Sequence, residues 1–239
     1  FQSLSVAQRY LLLAGAGLAC LAAGPLLERL LKFLINRRQS RGRCRRQFDC
    51  IFFSGGSLLP PCQAASQALA AAASSSNDPA VFCPDPSDCR LSHSSQHPYF
   101  QLIRQLASAV RSLDLCMYTL SSPDLSALLL ALSQRKPRPV RVRVICDSEQ
   151  LHSLGSAIAK LRSAGLPIRA DSTSYFMHHK FCVIDRSLVL TGSLNWTGQG
   201  TLGNWENVVA LDDVKVVEAF RREFERLWQE FSPASRSAR

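Results

Sequence analysis

The sequence predicts an α/β fold: a mixed, largely parallel central sheet flanked by helices, preceded by an N-terminal transmembrane helix. Three observations carry that expectation. From residue 98 onward, strand-like apolar segments alternate with segments of helical spacing. An uncharged run over residues 10–27 is near the length that crosses a bilayer core. Hydrophobic residues are 46% of the 239 and charged residues 19%, which supplies one substantial core and argues against a disordered chain.

The apolar run is interrupted by Gly15, Gly17, Gly24 and Pro25, and resumes at residues 30–35. Arginines follow at 37, 38, 41, 43, 45 and 46. A cleaved signal peptide would carry its basic residues ahead of the run, where only Arg9 stands. A single-pass anchor over residues 1–36 accounts for both features, and the positive-inside rule leaves the remainder of the chain in the cytosol. Residues 37–61 then read as a basic juxtamembrane linker. The formal net charge of +10 favours anionic partners such as phospholipid head groups or nucleic acid.

Residues 55–96 are rich in Ser, Ala, Pro and Gly, and residues 62–97 read as a loop-rich element. Within it, Cys62, Cys83, Cys89 and His93 offer three thiolates and one imidazole, a closed tetrahedral set suited to structural zinc. Scattered free cysteines in a tolerant loop are the alternative. The nine cysteines do not form a disulfide framework: the number is odd, and Cys116, Cys146 and Cys182 lie inside apolar runs. A reducing compartment fits that usage.

The catalytic domain is expected over residues 98–232, with a disordered tail over 233–239. Phe100, Ile103, Leu106, Ala107 and Val110 share one side of a helix over 99–111. A strand follows at 113–118, then a helix opened by Ser122-Pro123-Asp124 and running to 132. Next come a strand at 140–146, a helix at 151–164 stopped by Gly165, and a short strand near Ile168. Strands at 180–185, 187–191 and 208–211 complete the sheet. A helix over 214–231 packs onto it through Val217, Phe220, Phe224, Leu227 and Phe231.

His178 and Lys180 are two apart on a segment entering a strand, so both side chains point to one face. An ammonium can neutralise phosphate oxygens while a neutral imidazole attacks phosphorus or moves protons. Asp185 is an odd number of positions on and should face the other way, in a structural role. Ser193 and Asn195 repeat the two-residue step and offer donors to phosphate oxygens. Glu206, in apolar surroundings, could accept from the second ring nitrogen of His178.

His178-x-Lys180-x4-Asp185, with Gly192-Ser193-x-Asn195 and Glu206, resembles the HKD motif of the phospholipase D superfamily. Further segments, among them Asp114-Leu115-Cys116-Met117-Tyr118 and Met177-His178-His179-Lys180-Phe181, resemble the mitochondrial cardiolipin hydrolase group, called Zucchini in flies. The resemblance implies the phospholipase D-like sandwich and a phosphohistidine mechanism without a catalytic metal. It implies an anchor in the outer mitochondrial membrane, a small zinc-binding element, and His178, Lys180, Asp185, Ser193, Asn195 and Glu206 as site residues. Members carry two motifs or dimerise; this chain has one, which implies a homodimer in which two His178 side chains meet.

Two substrates follow from the resemblance: cardiolipin, cut to phosphatidic acid, and single-stranded RNA, cut in the making of small guide RNAs (piRNA) that silence transposons. A non-catalytic membrane tether or lipid- or RNA-binding scaffold is the remaining class. The chain departs from the group at Trp205, where a basic residue is expected, in a longer loop at 136–139, and in the wider spacing of Cys83 and Cys89.

Overall fold

The computed structural model describes residues 48–56, 58–70 and 79–233. The expected anchor over 1–36, the arginine collar and residues 234–239 of the expected tail lie outside them. Among the described residues no helix is long and apolar enough to cross a membrane.

Seven strands form one sheet among these residues: β1 (Phe48–Ser54), β2 (Ser112–Met117), β3 (Arg141–Cys146), β4 (Ile168–Ala170), β5 (Lys180–Ile184), β6 (Leu188–Gly192) and β7 (Trp205–Leu211). Their order is β1-β7-β6-β5-β2-β3-β4. Five α-helices accompany them: α1 (Gln63–Ala70), α2 (Pro98–Ala107), α3 (Pro123–Gln134), α4 (Ile158–Ser163) and α5 (Val214–Glu230).

The sheet is mixed, but the expectation that it is largely parallel is corrected. Only β2–β3 and β3–β4 run parallel, and the other four pairings are antiparallel. The reason lies in the connections. Helices α3 and α4 carry the chain between β2, β3 and β4, and such crossovers return a strand in the same direction. From β5 onward the link is a hairpin: Asp185 and Arg186 adopt φ of 51° and 58°, and Ile184 pairs with Leu188. A turn that tight can only send the chain back antiparallel.

Strand β1 falls within the stretch read as linker. It is an edge strand paired along its length with β7, burying Ile51 and Phe53 and exposing Phe48 and Phe52. Because both its faces are apolar, the sequence shows no alternation to mark it. The single helix expected over 151–164 is also two pieces, a 3₁₀ turn (Ser148–Leu151) and the short α4. Gly155 between them sits at φ 80°, where a right-handed helix cannot pass. Gly165 at φ 89° ends α4 as expected.

Helix starts follow local chemistry. The Ser122 hydroxyl accepts from the Leu125 N–H with Pro123 in the first turn of α3. Asp213 accepts from the Lys215 and Val216 N–H groups at the head of α5. His97 caps α2, its Nδ1 accepting from Tyr99 N–H at 3.2 Å while Nε2–H donates to the Leu59 carbonyl at 3.2 Å.

Two apolar cores sandwich the sheet. On one side Leu113, Leu115, Val144, Cys182 and Val208 pack with Phe100, Ile103 and Leu106 of α2 and Leu125, Leu129 and Leu132 of α3. Cys62, Ala65 and Leu69 join the same core, so the loop-rich element and the sheet fold together. On the other side Cys116, Ile145, Phe181, Val183 and Val189 meet Val217, Phe224, Leu227 and Trp228 of α5. Each such side chain contributes about 1.5–3 kcal/mol by leaving water. A bidentate Arg143–Asp114 pair, extended to Glu225 at 2.7 Å, fixes α5 on that face. The guanidinium also lies 4.8 Å from the Phe224 ring, which leaves few other ways to seat the helix.

Candidate active site

Because β2 and β5 are antiparallel, the segment entering β5 lies at the carboxyl end of β2, with Lys180 opposite Met117. The carboxyl end of β3 is alongside. Outside the carboxyl ends of parallel strands is where open α/β sheets hold their ligands. His178 is exposed there and Lys180 half-buried. The Lys180 ammonium approaches the His178 ring at 3.4 Å from Nδ1 and 3.5 Å from Nε2, and donates to the His178 carbonyl at 3.2 Å. The expected shared face is therefore met. Burial pushes the Lys180 ammonium below the ordinary lysine range, against the pull of the Glu206 carboxylate.

The neighbouring His179 faces the other way, as the strand period requires. Its Nε2 lies 3.6 Å from Glu223 of α5, and its ring meets Phe181 edge-on. Asp185 behaves as its odd offset predicts. At the far end of β5 its carboxylate accepts from three consecutive backbone N–H groups, Val110 at 2.8 Å, Arg111 at 2.6 Å and Ser112 at 2.8 Å. It ties the start of β2 to the β5–β6 turn and is remote from His178 along the strand.

Ser193 follows β6 and Glu206 is the second residue of β7, and the antiparallel pairing of these strands brings both to the same end of the sheet. The close approach depends on Gly192: a Cβ there would lie 2.1 Å from the Asn207 carbonyl oxygen. The Ser193 hydroxyl donates to Glu206 and accepts from the Asn207 N–H at 3.1 Å. The other Glu206 oxygen accepts from Asn204 Nδ2 at 3.0 Å. The expected Glu206–His178 hydrogen bond is thus corrected: among the described residues Glu206 serves Ser193 and Asn204. Asn195 Oδ1 is buried with no hydrogen-bond partner among the described residues.

Residues not anticipated for this site are Tyr118, Asp147 and Asn204. The Tyr118 ring lies 4.4 Å from that of His178, and the Lys180 ammonium 5.1 Å from its centroid. Burial, with the Asp147 and Glu149 carboxylates, pushes the Tyr118 phenol up, so it stays protonated at neutral pH. A surface groove of ≈ 520 Å³ begins at His178 and runs between Tyr175, Phe176 and the Arg226–Phe231 end of α5. Tyr175 and Phe176 present 82% and 60% of their surface, an unusual exposure for aromatic rings beside a candidate nucleophile. An acid placed directly after a strand of the parallel half of the sheet, Cys146-Asp147, is the signal that points to Asp147.

At the other site, the ligand atoms of Cys62, Cys83, Cys89 and His93 all lie within 4.8 Å of one another. Among the described residues His93 Nε2 is buried without a hydrogen-bond partner, which leaves its lone pair free to bind a metal. The Cys62 thiol is pushed up by burial, but the backbone N–H groups of Ala65 and Ala64 and the neighbouring thiols bring it below its ordinary value. Three such sulfurs and one imidazole fit a zinc ion. The nearby His97 is occupied in capping α2, and its imidazole is pushed down by burial.

Residues 102–228 match the family model described as cardiolipin synthase, PLD-like domain. A mitochondrial cardiolipin hydrolase of Mus musculus is 40% identical over 230 residues, spanning 96% of this chain and 93% of that protein. Its namesake in Xenopus laevis is 49% identical over 147 residues, 62% of this chain and 68% of that one. Among solved structures, a phospholipase D family member from Salmonella typhimurium, Nuc, is 29% identical with a TM-score of 0.48, covering 53% of this chain and 84% of its own. With the matched family model spanning more than half of the chain, this protein belongs to the phospholipase D-like family and is a phospholipase D-type phosphodiesterase.

Proposed function

We propose that the chain hydrolyses cardiolipin to phosphatidic acid through a covalent intermediate on His178, with its membrane anchor in the outer mitochondrial membrane and its catalytic domain facing the cytosol. The observation that carries this reading is the pairing of an exposed imidazole with an ammonium 3.4 Å away at the mouth of an open groove. The relatives named as mitochondrial cardiolipin hydrolases support the lipid and the compartment.

A neutral ring nitrogen of His178 attacks phosphorus, forming the N–P bond as the P–O bond to the leaving alcohol breaks. Lys180 neutralises the non-bridging oxygens as charge builds on them. Water then attacks the phosphohistidine, the N–P bond breaks, and the imidazole is restored. The Asn195 amide donates to the same oxygens, while the Ser193 hydroxyl, its one hydrogen given to Glu206, braces that carboxylate at the edge of the site.

The leaving oxygen needs a proton. Among the described residues the nearest second imidazole in sequence, His179, is turned to the other face beside Glu223. That geometry supports a homodimer in which His178 of the partner subunit acts as the acid. The Cys62, Cys83, Cys89 and His93 cluster holds a structural zinc ion that supplies cross-linking of the loop-rich element to the core. Metal analysis of the purified chain with and without Cys89→Ser tests it; a folded, metal-free wild-type chain would refute the zinc.

Single-stranded RNA is a second substrate, and the exposed Tyr175 and Phe176 rings beside His178 favour it, since bases stack on such surfaces. Purified chain assayed in parallel on cardiolipin liposomes and single-stranded RNA, each with a His178→Asn control, separates the readings. Turnover of cardiolipin that vanishes in the control is the expected result. Turnover of RNA alone would move the assignment to a nuclease, and equal turnover by the control would remove His178 from the mechanism.

A further inference from the structure

Asp147 stands at the carboxyl end of β3, 1% exposed, and its two oxygens do different work. Oδ1 accepts from the Glu149 N–H at 3.0 Å and caps the following 3₁₀ turn. Oδ2 reaches across to the Met177 N–H at 2.9 Å, thirty residues away in sequence and one residue before His178. A carboxylate accepting from backbone N–H in a buried setting makes a strong, directional bond.

The approach to His178 is otherwise an exposed loop. Residues 172–176 are exposed; Asp171 holds the loop's root by accepting from Ser148 N–H at 2.8 Å and Thr173 N–H at 3.3 Å, and the Thr173 hydroxyl closes a local turn with Tyr175. On the other side of His178, the Tyr118 N–H donates to the His179 carbonyl at 2.8 Å. The Met177 side chain is buried, its sulfur 3.3 Å from Cys116 Sγ. An imidazole at the tip of an exposed loop would sample many positions. Here the backbone is held immediately before it and immediately after it.

We propose that Asp147 is a positioning residue: its bond to the Met177 N–H sets the backbone from which His178 presents its imidazole to Lys180 and Tyr118. The inference rests on the reading of His178 as the nucleophile. Preorganisation of this kind acts on the chemical step, because a small displacement of a nucleophile costs rate without changing how substrate is held elsewhere.

The test uses the full chain in detergent micelles with bis(p-nitrophenyl) phosphate, a soluble phosphodiester that needs neither lipid nor RNA recognition. Asp147→Ala removes both acceptors; Asp147→Asn keeps the shape and one acceptor. We expect kcat to fall about tenfold or more for Asp147→Ala and by about threefold to tenfold for Asp147→Asn, each with KM within about twofold. Asp114→Asn, an equally buried carboxylate paired with Arg143, is the control for stability alone and should keep kcat per folded molecule.

A wild-type kcat in Asp147→Ala overturns the proposal, and Asp147→Leu, which also removes both acceptors but fills the space, decides if the alanine chain fails to fold. So does a loss in Asp114→Asn equal to that in the Asp147 variants, because activity would then merely track stability. The nucleophile reading fails separately, if His178→Asn itself turns the substrate over.

Discussion

The two ends of β5 carry the two halves of one sequence motif, and they are built for opposite tasks. At the entry, His178 is exposed and Lys180 keeps an ammonium in a half-buried place that disfavours its charge. At the exit, Asp185 spends its charge on three backbone N–H groups and fastens the hairpin to β2. One end presents an imidazole and an ammonium to solvent at the groove. The other has its bonding satisfied. Residues of one motif, seven positions apart, thus need not share a function, and substitution at either end should be read in different observables.

The sharpest break is His178→Asn, expected to lower phosphodiester turnover by about 10⁴-fold or more with little change in thermal midpoint, as loss of a nucleophile does. Steady-state rates and a melting curve on the same preparation check it. Lys180→Met should follow with a loss of about 10²–10³ in kcat, the usual size when one donor to a developing oxyanion is removed. At the other end, Asp185→Ala should cost about 1–3 kcal/mol of stability, since water reaches part of the three N–H groups it abandons. Its kcat per folded molecule should stay within about twofold, measured by activity against denaturant midpoint. A large kcat loss with intact stability would move Asp185 into the chemistry and dissolve the contrast.

A smaller effect sharpens it. Folding lowers the Lys180 pKa below 10.5, burial being the main cause. Protonated Lys180 therefore costs stability at neutral pH, and the cost fades as pH rises through the folded value toward the unfolded one. The Lys180 ammonium is lost over the same window. The alkaline limb of the rate profile should lie below the ordinary lysine range, and Lys180→Arg should move it upward even with a slower maximum. An unshifted limb in the arginine variant would assign it to another group.

Much of this contrast is legible in sequence because it depends on local parity. His178 and Lys180 are two apart and Asp185 is an odd step beyond, so strand period alone sorts them onto their faces. The Cys/His cluster is legible for a different reason: Cys and His are few enough in the loop-rich element that residue type nearly selects Cys62, Cys83, Cys89 and His93, whose ligand atoms the fold brings together. What parity cannot supply is register between distant strands. Glu206 meets Ser193 and Asn204 rather than His178 because of the β6–β7 pairing, and no local pattern encodes it. The same blindness hid Asp147, whose partner Met177 is reached only once β3 lies beside β2, and β1, whose two apolar faces conceal its period. Strand direction, too, is hidden where hairpins replace helices after Lys180, because apolar pattern does not distinguish the two connections.

The central claim is that His178 takes the phosphoryl group. Rapid alkaline quenching of the purified chain during turnover of a ³²P-labelled phosphodiester, followed by peptide mapping, tests it most directly. The label should sit on the peptide bearing His178 and be absent from the His178→Asn chain. Label on any other residue, or equal labelling of the His178→Asn chain, would contradict it.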